Sequence, residues 1–196
     1  MDFGGVLTTD MFAALQSFCR REGLPDDAFA PLISTSGGTA LVHDVERGRI
    51  SQADFEVEAG ALLGLDPEGL TSRVAADLHP EPAVLAVVDR IRARGVRVGV
   101  LSNSWGSAPF DPYIGWDLPG HFDAVVVSDQ VGLRKPDPAI YRLAADRIGV
   151  PPDRCAFFDD IASYLEPARE LGMTTVHATH PATTVAALEH LFGLAP

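Results

Sequence analysis

The sequence predicts an α/β protein: a doubly wound parallel sheet with a small helical insertion near the chain start. The first supporting observation is a set of short apolar runs rich in β-branched residues, at 96–101, 123–128, 154–158 and 174–177. The second is that helical patterns separate and follow these runs, over 82–94, 138–148, 164–171 and 183–192, with Gly95, Gly149 and Gly172 where the first three should stop. Strands that are apolar throughout and alternate with helices imply a parallel sheet covered on both faces and joined by right-handed crossovers. The third is the contrast offered by residues 10–79. Apolar residues recur there at helical spacing, as in Met11, Phe12, Leu15 and Phe18, and again in Phe55, Val57, Ala61 and Leu62, with no convincing strand. Either these helices pack on the sheet, or they form a small cap inserted after the first strand. The second reading is favoured, giving a core of residues 1–9 and 80–196 and a helical cap of residues 10–79.

Composition bounds the partners. Apolar residues make up 46% of the 196 residues, enough for a proper core. Fifteen basic against 27 acidic residues give a net charge of −12, which argues against nucleic acid or an anionic membrane as partner. A small phosphate ester remains compatible, because a metal and one or two cations in a pocket suffice to hold it. Cys19 and Cys155 show no metal or redox spacing and read as ordinary apolar residues. No signal peptide and no membrane-length apolar run is visible, so the expectation is a cytoplasmic protein, as a monomer or homodimer.

Ligands of open parallel sheets bind at the carboxyl ends of the strands. Four polar clusters fall at such places: Asp2 with Gly4 and Gly5, Ser102 with Asn103, Arg134 with Lys135, and Asp159 with Asp160. Carboxylates suit a hard divalent cation such as Mg²⁺, a lysine supplies a compact charge for a phosphate, and a serine hydroxyl donates to a phosphoryl oxygen. Each residue also has a plainer role. Asp2 could be a solvated acid, Ser102 and Asn103 a turn or helix cap, Lys135 a loop lysine, and Asp159 and Asp160 a helix cap. Two adjacent acids at a strand end, however, repel unless a cation lies between them. The six histidines form no triad or metal spacing and receive no role.

Taken in order, these clusters resemble the four motifs of the haloacid dehalogenase superfamily, and the resemblance spans almost the whole chain. Asp2-Phe3-Gly4-Gly5-Val6-Leu7-Thr8 is similar to motif I, Leu101-Ser102-Asn103 to motif II, Gly132-Leu133-Arg134-Lys135-Pro136-Asp137-Pro138 to motif III, and Phe158-Asp159-Asp160 to motif IV. The stretches FDAVVVSDQVGLRKPDPAIY and FFDD…EPARELGM resemble the phosphatase-like domain of soluble epoxide hydrolases. The resemblance implies a Rossmann-like core and a Mg²⁺-dependent phosphatase of a small phosphorylated metabolite. It implies Asp2 as nucleophile and Ser102, Asn103 and Lys135 as phosphate-binding residues. By the same analogy Asp2, the Gly4 carbonyl, Asp159 and Asp160 would lie at the metal. A metal-independent 2-haloacid dehalogenase and a weak or inactive binding protein of the same fold are the alternatives.

Three departures from the pattern bear on activity. Relatives that are phosphatases usually carry an acid two positions after the nucleophile, where this chain has Gly4; its proton transfer is worth about 10²–10⁴ in rate. Tyr164 stands where asparagine often orients the acids. Only Met1 precedes Asp2, whereas a strand of ordinary length needs roughly four or five residues there. The expectation is an upstream start or, for a complete chain, a weakened protein whose sheet lacks hydrogen-bond partners and whose α-amino group sits near the metal. Within the helical segment His43, Asp44, Glu46 and Arg47 are the polar candidates for contacting substrate.

Overall fold

The structure, a computed structural model, describes residues 1–194. Five helices come first: α1 (Met11–Glu22), α2 (Ala30–Ser34), α3 (Ser36–Glu46), α4 (Gln52–Leu63) and α5 (Leu70–Ala75). Local chemistry sets their limits. The Asp10 carboxylate accepts from the N–H groups of Phe12 and Ala13 and so caps α1, which Gly23 ends in the left-handed conformation. Ser51 caps α4 through the N–H of Asp54. Gly38 lets α2 and α3 meet, because a methyl group there would lie 2.1 Å from the Pro31 carbonyl oxygen. Phe18, Leu32, Val45, Phe55, Leu70 and Val74 bury together as a core belonging to this segment. Each such side chain contributes about 1.5–3 kcal/mol on leaving water.

The remainder alternates helix and strand: α6 (Pro82–Arg92), β1 (Gly99–Ser102), α7 (Leu118–His121), β2 (Ala124–Val127), α8 (Ser128–Val131), α9 (Pro138–Ile148), β3 (Ala156–Asp159), α10 (Ala162–Glu170), β4 (Thr174–His177) and α11 (Pro181–Leu191). The first three strands are shorter than the apolar runs that announce them. Before β1, Val98 is held partly by the Asp123 side chain, whose carboxylate accepts from its N–H at 2.8 Å, rather than by a ladder. Before β3, Pro152–Arg154 is committed to a 3₁₀ turn. After β2, Ser128 already opens α8.

Successive strand residues go to opposite faces, as the pleat requires. Val100 and Phe158 bury with Val84, Val88 and Ile91 of α6 and Leu188 of α11. Leu101 and Phe157 bury with Ile140 and Tyr141 of α9 and Leu165 of α10. The sheet is thus covered on both sides, as the sequence predicts. β1 pairs in parallel with β2, and β3 with β4. What joins the two pairs is the chain start: Met1 O accepts from Leu101 N at 2.9 Å, and Asp2 N donates to Phe158 O at 2.8 Å. Met1 and Asp2 stand between β1 and β3, and a cavity of about 500 Å³ opens beside Met1. Among the described residues no helix is long and apolar enough to cross a membrane.

Candidate active site

Strand ends converge at one place. β1 delivers Ser102, β3 delivers Asp159 and then Asp160, the chain start delivers Asp2, and the loop after α8 delivers Arg134 and Lys135. Lys135 is fully buried, and its ammonium lies 2.8 Å from Asp2 Oδ1 and 2.6 Å from Asp159 Oδ2. A buried ammonium needs such partners. Burial by itself would lower the Lys135 pKa, but the charges and hydrogen bonds of Asp2 and Asp159 hold it above the ordinary lysine value. The rings of Tyr164 and Phe157 flank it at 5.3 and 5.7 Å. Replacing Lys135 by Met is expected to cost about 3–5 kcal/mol, because two buried carboxylates then face each other uncompensated. Denaturant unfolding at pH 7 checks this; a loss below 1 kcal/mol would show that the acids are already neutral.

Asp2, Asp159 and Asp160 each offer an oxygen within 4.8 Å of the others. Burial, followed by the charge of Asp2, pushes the Asp159 carboxyl up to about 6 against the pull of Lys135. Burial and the charges of Asp2 and Asp159 push Asp160 up to about 7. Three hard oxygen donors packed this closely, two of them with proton affinity raised by burial and by neighbouring charge, suit a divalent cation of the magnesium type. They are not equivalent. Asp159 accepts from Lys135 at Oδ2 and from Ile161 N at Oδ1, so both its oxygens are engaged. Asp2 Oδ1 takes the N–H of Phe3 at 2.7 Å as well as Lys135, and Oδ2 takes no bond among the described residues. The Asp160 carboxylate lies over Gly5, which has φ 74°; a methyl group there would sit 2.5 Å from Oδ2. Gly5→Ala is therefore expected to displace Asp160, at a cost of about 1–2 kcal/mol from the left-handed backbone alone. A Mg²⁺ titration followed by melting temperature should lose most of its shift; an undiminished shift would dissociate Asp160 from the ion.

The predicted residues meet around this cluster. Ser102 Oγ accepts from Tyr113 Oη at 2.8 Å. The Asn103 side chain clasps the Lys135 backbone, accepting from its N–H at 2.9 Å and donating to its carbonyl at 3.1 Å. Gly4 lines the same cavity. The α-amino group instead turns away from the acids and donates to Gly99 O at 2.7 Å, three residues before Ser102 and roughly 10 Å along β1.

A cavity of about 590 Å³ separates this cluster from the helical segment, with Met11, Leu15, Phe29, Ile33, Val42 and Trp105 among its apolar walls. Of the four polar candidates on that segment, His43 and Glu46 reach it, whereas Asp44 pairs with Arg49 at 3.0 Å on the surface and Arg47 does not line it. Glu46 forms a buried ion pair with Arg134, whose Nη2 also donates to Tyr164 Oη at 3.1 Å. Tyr164 thus supports the lysine and the arginine in the place where an asparagine was expected to orient acids. Sequence reasoning missed roles for Arg134, Gln52 and Tyr113. Arg134 could have been found as the neighbour of Lys135; the other two have no motif around them.

The chain matches the haloacid dehalogenase-like hydrolase family over residues 1–172, and it belongs to that family. It is 33% identical over 127 residues to the fructose-1-phosphate phosphatase of Escherichia coli K12, covering 65% of each chain. It is 35% identical over 112 residues to mouse acyl-CoA dehydrogenase family member 10, covering 57% of this chain and 10% of that protein. Against pig bifunctional epoxide hydrolase 2 the figures are 32% over 108 residues, 53% of this chain and 20% of that protein. The chain therefore spans a fifth or less of the length of these last two relatives. A HAD-family enzyme of Bacteroides thetaiotaomicron, crystallised with magnesium and inorganic phosphate, shares the fold with a TM-score of 0.65 at 22% identity, covering 89% of this chain and 90% of that one.

Proposed function

We propose that this hydrolase is a magnesium-dependent phosphomonoesterase acting on a small phosphorylated metabolite, in the cytoplasm, through an aspartyl-phosphate. The observation that carries the reading is the charge of the buried cluster. Three acids share one ammonium: when all three are ionised the cluster has two negative charges in excess, which one divalent cation cancels, and without one Asp159 and Asp160 hold their protons to higher pH. Asp2, Asp160 and the Gly4 carbonyl would hold that ion, with Asp159 beside them anchoring Lys135. When bound, the cation offsets the repulsion between the Asp2 carboxylate and the phosphate.

The free Oδ2 of Asp2 attacks phosphorus, the bond from phosphorus to the ester oxygen breaks, and the alcohol leaves with a proton drawn from water, since Gly4 offers none. Water then attacks the same phosphorus, releasing inorganic phosphate and restoring Asp2. Lys135 and Ser102 hold the phosphoryl oxygens, where charge develops, and Asn103 serves them by fixing the Lys135 backbone through its side-chain amide. The helical segment 10–79 acts as the cap, excluding water over the cavity and presenting apolar walls to the organic part of the ester.

Hydrolysis of p-nitrophenyl phosphate with Mg²⁺ and with excess chelator tests the reading. Metal-dependent phosphate release is expected. Halide release from a 2-haloacid without metal would place the chain with the dehalogenases, and silence in both assays would leave a binding protein of this fold.

A further inference from the structure

We infer that Tyr113 is a positioning residue for the Ser102 hydroxyl and that Gln52 of the helical segment holds Tyr113 at that task, an inference that rests on the phosphomonoesterase reading. Ser102 is buried, and its hydroxyl has two oxygen neighbours: Tyr113 Oη at 2.8 Å and the Asn103 carbonyl at 3.3 Å. Burial, against the hydrogen bonds of Ser102 and Ser104, pushes the Tyr113 phenol up to about 12, so it keeps a hydrogen to donate to Ser102. A hydroxyl that accepts from Tyr113 must turn its own hydrogen elsewhere. The hydrogen then rests on the Asn103 carbonyl in a long bond, which a phosphoryl oxygen readily replaces.

The phenol cannot swing away freely. Its ring packs edge-on against Phe3, the residue after Asp2, with centroids 4.8 Å apart, and its N–H donates to Asp111 Oδ1 at 2.9 Å. The loop between β1 and α7 that carries it has no strand or helix of its own and relies on outside anchors. Gln52 is such an anchor. This buried first residue of α4 accepts from Phe110 N at 2.8 Å and donates to Phe110 O at 3.0 Å and Gly106 O at 3.2 Å. Gly106, with φ 99°, permits the approach, since a methyl group there would meet the Gln52 Cβ at 3.1 Å. The path from α4 through Phe110 and Tyr113 to Ser102 couples the seating of the helical segment to the direction in which the hydroxyl donates.

The test is a pair of mutant cycles on p-nitrophenyl phosphate hydrolysis with Mg²⁺, each variant also checked by melting temperature. Tyr113→Phe is expected to lower kcat about tenfold with KM nearly unchanged, and to cause no further loss in a Ser102→Ala background. Gln52→Ala is expected to lower kcat severalfold, and to add nothing to Tyr113→Phe. An unchanged Tyr113→Phe enzyme, or an equal loss without Ser102, overturns the role of Tyr113 while leaving the phosphomonoesterase reading intact. Full additivity of Gln52→Ala and Tyr113→Phe overturns the role of Gln52. A wild-type protein without turnover overturns the phosphomonoesterase reading and this inference with it.

Discussion

Asp2→Asn is expected to abolish metal-dependent ester hydrolysis, with kcat lower by about 10⁴–10⁶-fold, the range seen when a nucleophile or its activating group is removed. The substitution keeps the shape of the side chain and an oxygen for the N–H of Phe3. Lys135 keeps its 2.6 Å contact to Asp159, so the cluster retains one ion pair and the fold should survive. Mass spectrometry of acid-quenched enzyme gives the second readout: the wild type should carry a phosphoryl group on the peptide containing residue 2, and the variant none. Activity within tenfold of wild type would place the nucleophile elsewhere.

Gly4→Asp is expected to raise turnover by about 10²–10⁴-fold on esters of poor leaving groups, the usual contribution of a positioned general acid. The site has room: a methyl group built on Gly4 meets only the terminal carbon of Met11, at 3.9 Å, and the backbone there is outside the left-handed region. An alkyl phosphate should respond strongly and p-nitrophenyl phosphate weakly, because nitrophenolate departs without a proton. Equal responses of the two substrates would show that the new carboxyl does not protonate the leaving oxygen.

Much of this site was legible in the sequence because strand ends are marked by composition. Apolar runs stop at Ser102 and at Asp159, and a parallel sheet brings such ends to one edge. Lys135 was legible through its motif but not its burial; that two acids enclose it depends on side chains brought together from three distant segments. Strand limits were overestimated where pairing, not composition, decides them, as at residues 96–98, which no ladder takes up. The cavity walls were least legible. Met11 and Leu15 were legible only through their helical spacing, and no local pattern distinguishes a side chain facing a cavity from one facing a core. Gln52 escaped because a glutamine at a helix start looks solvated, and its three hydrogen bonds are to a loop more than fifty residues away.

The bridge formed by Met1 and Asp2 has a kinetic consequence. Its partners lie 98 residues away at Gly99 and, in β3, at Phe158, so β1 and β3 cannot be bridged until the chain has been made through Phe158. Contacts of such long sequence separation slow folding, because loop closure must precede any gain from pairing. The α2–α5 layer, whose contacts are local, can collapse first and wait. Nascent chains halted before residue 156 should therefore be protease-sensitive across residues 1–9 yet protected across residues 30–75.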